Sequence, residues 1–383
     1  MPGAPGRFQG LVCRVLGILA ILAASVPANA DPGVTDSTTP DAREGALGGP
    51  HVAWTEIGNA LETNVAGLRF VDNGFRFSAL TVQTAGPVFD IASVLLQGFS
   101  GVEFASLVST PEAQELFDGV YARAAILGPV AISYVRNGFG ISFDNLTAVR
   151  VQGSGTSGLD VRSSERLVLR GGYSLQLPLP DSWNVTLAIG LGANTHLTAS
   201  TVASTSLVTL STMLNSLESS LLSDATLEQA IGGGIDAGLM FTAGGWLAIG
   251  LSATDIYAPT FTFPITPASG FFSGSYTKGE RRYDTEPLDL TVGAAFTPPL
   301  GAAERIVRDF TVAFDYRDIL DFWLDPADAD NLFLKFGIGV EATLLQVLCV
   351  RAGFDRGMIA AGFGLELGMF DLSAAMYLSL IHI

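Results

Sequence analysis

The chain has 383 residues, of which 48% are hydrophobic and 15% charged, and its formal net charge is −17 at pH 7. A chain this acidic is not expected to bind nucleic acid or an anionic membrane surface. A soluble protein would normally carry more charge, and the mean hydropathy is +0.41. Glycine is abundant, with 44 residues, as expected where strands have one crowded face.

The first 30 residues have the pattern of a secretory signal. Arg7 and Arg14 supply a positive region, and residues 15–26 form an apolar run that is too short to span a membrane as a helix. Residues 28–30 (Ala-Asn-Ala) form a small-residue cleavage site, so cleavage is expected near Ala30. The polar, turn-rich stretch 31–44 is then predicted to be a disordered leader.

Thirteen candidate strands follow, and several alternate between apolar and other residues. The even-numbered positions from Leu332 to Ala342 are apolar, whereas those between them are mostly small or polar. Successive side chains of a strand point to opposite faces, and about 9–11 residues cross a bilayer as a tilted strand. Such strands fit a membrane barrel with the apolar face outward or a soluble sandwich with it inward. The candidates are 75–84, 122–135, 138–151, 165–177, 183–197, 232–242, 246–256, 286–296, 308–317, 331–342, 346–354, 358–367 and 370–377.

The connections between these strands alternate in length. Long ones follow strands one, three, five, seven and nine, at 85–121, 152–164, 198–231, 257–285 and 318–330, and the exception is the tight turn 355–357 after strand eleven. Short ones lie between them, at 136–138, 178–182, 243–245 and 344–345. An up-and-down outer-membrane barrel has this asymmetry, whereas a sandwich of Greek keys has no reason to keep it. The sequence therefore predicts an all-β, up-and-down transmembrane β-barrel, and a secreted β-sandwich is the less favoured alternative.

The end of the chain differs from the strands before it. Residues 378–383 (Leu-Ser-Leu-Ile-His-Ile) match what a common sequencing-library transposon end encodes in this frame. They are predicted to be sequencing read-through, so that the barrel, residues 71–377, lacks its last strand. Single-chain barrels take an even number of strands, and thirteen then complete to about 14 antiparallel strands.

Short helices are predicted in two of the long connections. Thr110, Pro111 and Glu112 begin one, with a cap residue, a proline at the first helical position and an early acid. The other has leucines spaced three and four apart. This stripe either packs over the barrel mouth or into the lumen, or forms a groove for an apolar ligand or partner. It comprises Leu207, Leu210, Leu214, Leu217 and Leu221.

The sequence contains no recognisable catalytic or metal-binding motif. His51 and His196 do not stand in a metal-like spacing, and there is no P-loop, G-x-S-x-G or H-E-x-x-H. The acidic loop from Asp315 to Asp330 could hold a calcium ion, but a solvated loop that keeps the barrel mouth negative is favoured. No enzyme activity, cofactor or metal site is expected.

Residues 43–72 resemble the N-terminal signature of FadL-like outer-membrane barrels. The resemblance is carried by Gly48-Gly49, by Asn59-Ala60 and by Asn64-Val65-Ala66-Gly67-Leu68, with Val65 in place of the proline in Asn-Pro-Ala-Gly-Leu. It implies a fourteen-strand barrel whose first segment, here 45–70, folds into the lumen as a plug. This segment is also too irregular for a wall strand, and an unfilled lumen of this size would be an open pore.

The same resemblance implies two alternative functions. FadL-like transporters capture a hydrophobic substrate outside, pass it by an N-terminal hatch and release it sideways through a gap in the wall. Related barrels include the PorV-like barrels of secretion systems and FadL-like proteins of spirochaetes. We expect uptake of small hydrophobic molecules by a monomeric barrel in bacterial outer-membrane lipid, and the alternative is a PorV-like barrel that docks secretion or surface proteins. The hatch would be shaped by Gly48, Gly49, Asn59, Asn64 and Gly67, unless these are turn and cap residues of a static plug.

Overall fold

The computed structural model describes residues 41–99, 110–153, 158–205, 227–267, 274–324 and 332–379. Across these ranges, no helix combines the length and the apolar character needed to cross a membrane.

Seventeen strands of the described residues form one antiparallel sheet. The strands are β1 (Gly74–Arg76), β2 (Thr81–Ala85), β3 (Tyr121–Arg136), β4 (Phe139–Gly153), β5 (Leu159–Gln176), β6 (Val185–Thr205), β7 (Leu227–Ala243), β8 (Leu247–Tyr257), β9 (Pro259–Thr266), β10 (Thr277–Lys278), β11 (Arg282–Thr285), β12 (Asp289–Phe296), β13 (Val307–Tyr316), β14 (Phe336–Leu344), β15 (Leu348–Asp355), β16 (Met358–Glu366) and β17 (Asp371–Ser379). The α-helices are α1 (Ala42–Ala46), α2 (Ala60–Thr63), α3 (Val88–Phe99), α4 (Pro111–Phe117) and α5 (Asp321–Leu324).

The strands follow one another around the sheet as an up-and-down meander. Each strand from β3 to β8 pairs with the next, β8 pairs with β12, and the pairing continues from β12 to β17. β1 and β2 share one wall position because both pair with β3. β9 prolongs β8 and pairs with β7, β10 and β11, and β11 leads into β12. The seventeen segments therefore occupy thirteen wall positions, the number predicted from the sequence.

The sheet curves into a barrel around the residues that precede β1. α1 contacts β15, β16 and β17, while the 3-10 helix Val65–Arg69 contacts β4, β5, β6 and β7 on another side. The two ends of the meander also meet, since Gln83 Nε2 on β2 donates to Tyr377 Oη on β17 at 3.0 Å. The all-β, antiparallel, up-and-down barrel predicted from the sequence is confirmed.

Burial along the strands is the inverse of that in a soluble sandwich. In β14, Gly339 and Glu341 are buried and face the lumen, whereas Ile338 is 41% exposed on the outer face. Phe314 of β13 and Val350 of β15 are likewise exposed between buried neighbours. Alternation sends polar and small residues inward and apolar residues outward, so the interior is not an apolar core shared by two sheets.

Several strands are longer than predicted. β6 has 21 residues and β7 has 17, and together with β5 and β9 they extend into the predicted connections 152–164, 198–231 and 257–285. The extension of β6, residues 198–205, is rich in Ser, Thr and Ala. It continues the hydrogen-bonded ladder without the apolar alternation on which the prediction relied, which is why the end of β6 was not detected.

The first predicted strand, 75–84, is interrupted instead of continuous. Residues 77–80 separate β1 from β2, opposite a register shift between Leu127 and Ala131 of β3. Pro129 lies in that shift and has no N–H to donate to a neighbouring strand, which explains the break in the ladder.

The predicted helices have different outcomes. α4 (Pro111–Phe117) begins at the predicted proline, and α3 (Val88–Phe99) is a helix of the same connection that was not predicted. The leucine stripe Leu207, Leu210, Leu214, Leu217 and Leu221 lies outside the described residues.

Candidate functional site

The candidate site is the barrel lumen and the inner segment, residues 41–71, that lies in it. The inner segment comprises α1, α2 and the 3-10 helix Val65–Arg69. It begins where Asp41 caps α1, since Asp41 Oδ1 accepts from Arg43 N at 2.8 Å and from Glu44 N at 3.4 Å. Residues 41–44 of the stretch 31–44, which was predicted to be a disordered leader, therefore belong to this helical segment, and residues 31–40 lie outside the described residues.

The second half of the inner segment packs by apolar contact. Leu61, Val65 and Leu68 form a buried cluster with Ala60 and with Val135 of β3. These side chains lie over wall positions that have no side chain: a Cβ on Gly140 would lie 2.6 Å from Leu68 Cδ2. Small wall residues thus leave space for large side chains of the inner segment.

Elsewhere the backbone of the inner segment lies directly against glycines of the wall. A Cβ on Gly190 of β6 would lie 2.3 Å from Ala66 N, and one on Gly250 of β8 would lie 2.3 Å from Val52 O. On the other side of the barrel, a Cβ on Gly353 of β15 would lie 2.1 Å from the carbonyl carbon of Leu47. Only glycine allows this approach of two backbones, which gives the high glycine content a structural reason.

The predicted glycines of the hatch lie at turns and close contacts. Gly48 and Gly49 have φ of +74° and +96°, a region that side chains rarely adopt. Arg317 reaches this turn from the wall, since its Nη2 donates to Gly48 O at 2.8 Å and to Pro50 O at 3.2 Å. Gly67 lies under Thr55, where a Cβ would be 2.1 Å from Thr55 Oγ1.

The two predicted asparagines tie parts of the inner segment together. Asn64 Nδ2 donates to Val52 O at 2.8 Å and to Leu239 O of β7 at 3.1 Å, and its Oδ1 accepts from Ala66 N. Asn59 Nδ2 donates to Glu44 Oε1 at 2.9 Å. Of the two asparagines, Asn64 therefore bonds the inner segment to the wall, while Asn59 links α1 to α2.

A buried pair that the sequence did not predict joins the inner segment to β13. His51 Nδ1 directly contacts Asp315 Oδ2, and Asp315 Oδ1 accepts from Val52 N at 3.0 Å. The sequence grouped Asp315 with the acidic loop, and this assignment was wrong: Asp315 is the penultimate residue of β13, and its side chain is fully buried in the lumen. Its spacing to the other aspartates gave no signal, because the partner lies 264 residues away.

An ion-pair network joins α1 to β14 and β15. Arg43 donates to both carboxylate oxygens of Glu341 on β14, at 3.1 and 3.0 Å, and pairs with Glu56 at 3.0 Å. Arg351 of β15 contacts the same Glu341 carboxylate, and Arg43 also lies 4.6 Å from the ring centre of Trp54. This network fixes α1 by charge-assisted bonds in addition to the burial of Ala46.

Two carboxyl groups of the inner segment are buried enough for their pKa to change. Burial, together with the nearby Asp41 and Glu62, raises the pKa of Glu44 to about 8, against the lowering effect of the Asn59 hydrogen bond. Burial also raises the pKa of Glu56, with Arg43 opposing the shift. Glu44 therefore holds a proton more readily than an exposed glutamate does.

In the part of the chain that the structure describes, no three His, Cys, Asp or Glu side chains lie close enough together to hold a metal ion. Asp325, Asp328 and Asp330 of the predicted acidic loop lie outside the described residues.

The wall interruption, residues 77–80 with 128–130, lies just beyond the inner segment. β1 borders the interruption on one side and lies at the same height in the barrel as the inner segment, because Arg76 of β1 pairs with Asp41 at 3.5 Å. Across the interruption, Ser78 Oγ donates to Pro129 O at 2.5 Å. Phe77 is 74% exposed and Leu80 is 66% exposed, so the surface around it is apolar.

Comparisons with known proteins give a likeness in structure but none in sequence. No protein-family model matches the chain, and no curated protein matches it. The fold is similar to the crystal structure of the P. putida toluene transporter TodX, with 12% sequence identity and a TM-score of 0.42. The alignment covers 88% of this chain and 92% of that chain.

Proposed function

We propose that this chain is an outer-membrane barrel that takes up small hydrophobic molecules. The observation that carries the proposal is the wall interruption with its apolar surroundings, placed beside a lumen that the inner segment occupies. The segment would hinder free passage along the lumen, whereas an apolar break in the wall would give a hydrophobic molecule a sideways exit into lipid.

Membrane insertion is supported by the outer surface of the wall. Ile338, Phe314, Val350 and Phe363 are each at least 41% exposed and lie on different strands. A water-soluble protein rarely exposes an apolar surface of such extent, because each Å² exposed costs about 25 cal/mol. In a bilayer the same surface is buried in hydrocarbon, as the outer band of a membrane barrel requires.

The route avoids the inner segment. α1, α2 and the 3-10 helix occupy the lumen at the level of β1, whereas the wall interruption lies between that level and β2. A hydrophobic molecule that enters from the side of the long connections would therefore reach the interruption without displacing the segment. The route is closed by the bond from Ser78 to Pro129 and by the backbone of Ala79 against Gly128, where a Cβ would lie 1.8 Å from Ala79 O, so these contacts must separate for a molecule to pass.

Docking of a secretion or surface protein is the second candidate. The observation in its favour is the backbone-to-backbone contact of the inner segment with Gly190, Gly250 and Gly353. A segment held this closely on opposite sides of the barrel is suited to a static plug, and a static plug serves a barrel that only presents its loops.

The two candidates are separated by transport into vesicles. The folded chain is inserted into liposomes, and uptake of a small aromatic hydrocarbon probe is compared with uptake of a sugar. Uptake of the hydrocarbon without the sugar supports the proposed function, and the Leu80→Asp variant should reduce it several-fold. Val350→Asp places the same charge on the distant β15 and serves as the matched control. A folded barrel that passes neither probe would contradict the uptake function and leave docking.

A further inference from the structure

We propose that the lumen contains a binding site for the hydroxyl group of a small molecule whose remaining body is apolar, namely a phenol or an alcohol. The site is the His196–Thr260 pair, two polar side chains that lie over Gly232 of β7. The inference rests on the proposed uptake function in one respect, because it names the class of molecule that is taken up. Binding itself depends only on the geometry of β6, β7 and β9.

Register places the two side chains in one row across three strands. His196 of β6 is the Cα partner of Gly232, and Gly232 is the Cα partner of Thr260 of β9. Residues directly opposite each other in a ladder share a face of the sheet. The face is the inner one, because Gly192, four residues from His196 on β6, lies under Val65 of the inner segment. The row therefore faces the lumen.

The pair lies just beyond the inner segment. Val168 of β5 is the Cα partner of His196, and Arg170, two residues along β5, pairs with Glu62 of α2 at 3.5 Å. Two residues of a strand span about 7 Å, so the row is a short step from the point at which the segment is bonded to the wall. A molecule that enters from the side of the long connections would reach the pair before the segment.

Both side chains are buried without a hydrogen-bond partner among the described residues. Thr260 and His196 are each 8% exposed, and Thr260 Oγ1 makes no hydrogen bond. The His196 ring makes none within the described part of the chain, and its charged neighbours Arg166 and Arg170 have only donors to offer. Buried polar groups are nearly always paired, so two unpaired groups at one place indicate that a ligand supplies the bonds.

The distance between the two groups suits a single oxygen atom. A Cβ on Gly232 would lie 2.3 Å from Thr260 Oγ1 and 2.7 Å from His196 Nε2, so these two atoms are no more than about 5 Å apart. One oxygen at a hydrogen-bond distance of about 2.8 Å can therefore bond to both. Neutral imidazole and the threonine hydroxyl can each take part as donor or acceptor. A ligand hydroxyl, which donates and accepts, matches such a pair, whereas a hydrocarbon leaves both groups unpaired.

The charges beside the pair favour a neutral ligand over a carboxylate. Asp255 lies over Gly234, the next lumen-facing glycine of β7, where a Cβ would be 2.4 Å from Asp255 Oδ1. Asp236 adjoins it, since Asp255 N donates to Asp236 Oδ1 at 2.9 Å. Arg166 is attracted by Glu286 and by Asp255, so its charge is already balanced. An anionic ligand would therefore meet carboxylates without a free cation to offset them.

The test compares three ligands that share one apolar body. Ethylbenzene, 4-ethylphenol and 4-ethylbenzoate are each titrated calorimetrically at pH 7 into the full chain folded in detergent, and titrations into detergent alone are subtracted. 4-Ethylphenol should bind at least tenfold more tightly than either of the other two. Tighter binding of the benzoate would overturn the assignment to a neutral hydroxyl.

Variants of the pair show whether the preference comes from this site. Thr260→Val keeps the shape of the side chain and removes its hydroxyl, so it should weaken binding of 4-ethylphenol tenfold and leave ethylbenzene within twofold. His196→Phe should have the same effect. Thr260→Ser restores a hydroxyl and should retain the preference. Thr262→Val is the matched control, because Thr262 lies two residues along β9 on the same face, and it should change binding less than twofold.

Folding of each variant is checked by the change in gel mobility on heating. If His196→Phe does not fold, the comparison of Thr260→Val with Thr260→Ser decides. The inference is overturned if the wild-type chain binds 4-ethylphenol no more tightly than ethylbenzene, or if the preference survives in folded Thr260→Val. Failure of hydrocarbon uptake into vesicles, with the preference for 4-ethylphenol intact, would count against the uptake function alone.

Discussion

His51 and Asp315 meet inside the barrel although 264 residues separate them in the sequence. The aspartate holds the inner segment at two adjacent points, because its Oδ2 contacts the His51 ring and its Oδ1 accepts from Val52 N at 3.0 Å. The other ring nitrogen of His51 lies 3.0 Å from Leu47 O. One wall carboxylate thereby fixes both the turn after α1 and the chain that follows it.

Removal of either member of this pair should loosen the inner segment. Asp315→Ala leaves His51 and Val52 N buried without an acceptor, and should lower the free energy of unfolding by about 3 kcal/mol. The measurement is guanidinium unfolding in detergent, followed by tryptophan fluorescence, for Asp315→Ala, His51→Ala and the double variant. Because the two residues share one contact, the double variant should lose less than the sum of the single losses. Simple additivity would show that the pair is not coupled.

Because the inner segment lies directly against wall glycines, a larger side chain at one of these positions should displace the segment. Gly190→Val should push its side chain into the backbone at Ala66, so that the barrel forms but the segment leaves the lumen. Single-channel conductance in planar bilayers should then rise well above that of the wild type. Gly171→Val is the control, since a Cβ there meets no atom closer than 3.9 Å. Equal conductance in the two variants would contradict this account of the glycines.

The raised pKa of Glu44 predicts that the inner segment is held less tightly as the pH rises. Its pKa is about 8 in the folded chain against an ordinary value of 4.5, so the folded state retains a proton that the unfolded state releases. Stability from this group is therefore complete below about pH 4.5 and is lost as the pH rises to about 8.

Glu44→Gln should remove that part of the pH dependence while its amide oxygen still accepts from Asn59. The midpoint of thermal unfolding is measured from pH 4 to pH 9 for the wild type, for Glu44→Gln and for Glu304→Gln, an exposed glutamate as control. The Glu44→Gln chain should be the more stable one near pH 8–9. Parallel curves for all three chains would exclude a buried Glu44 carboxyl.

The outer face of β14 predicts sensitivity to charge in a membrane. Val340 lies at the middle of this strand on the outer face, and Val340→Arg should lower stability by about 2–4 kcal/mol in lipid vesicles. Leu345→Arg places the same charge in the short turn after β14, where the side chain is 73% exposed, and should change stability by less than 1 kcal/mol. Equal losses at the two positions would place β14 outside the hydrocarbon.

The sequence predicted the wall better than the lumen. A period of two needs only local information, so the ends of β12 to β17 were predicted to within five residues. The largest difference is at the start of β14, where Leu332–Lys335 form a 3-10 helix instead of the predicted strand. The interruption at 77–80 was missed because its cause, Pro129, lies on the partner strand β3. The predicted strand 183–197 ends before β6 does, because residues 198–205 are rich in Ser, Thr and Ala and have no apolar alternation.

The interior depends on contacts that local patterns do not contain. His51 was noted only for its lack of a metal-like spacing, and its partner Asp315 was assigned to a loop. The predicted hatch residues were found through motif resemblance, and they do lie at turns and contacts of the inner segment. The wall residues that receive the segment, such as Gly190 and Gly353, could not be separated from the other glycines without the register.

The central claim is that apolar side chains on the outside of the barrel face lipid while the alternate side chains face the inner segment. Single cysteines are introduced at successive positions from Ile338 to Ala342 in a Cys349→Ser background, labelled with an environment-sensitive fluorophore in vesicles, and exposed to lipid-soluble and water-soluble quenchers. The account predicts that positions 338, 340 and 342 are quenched from the lipid and that 339 and 341 are protected from it. Equal quenching of all five positions by the water-soluble reagent would contradict it.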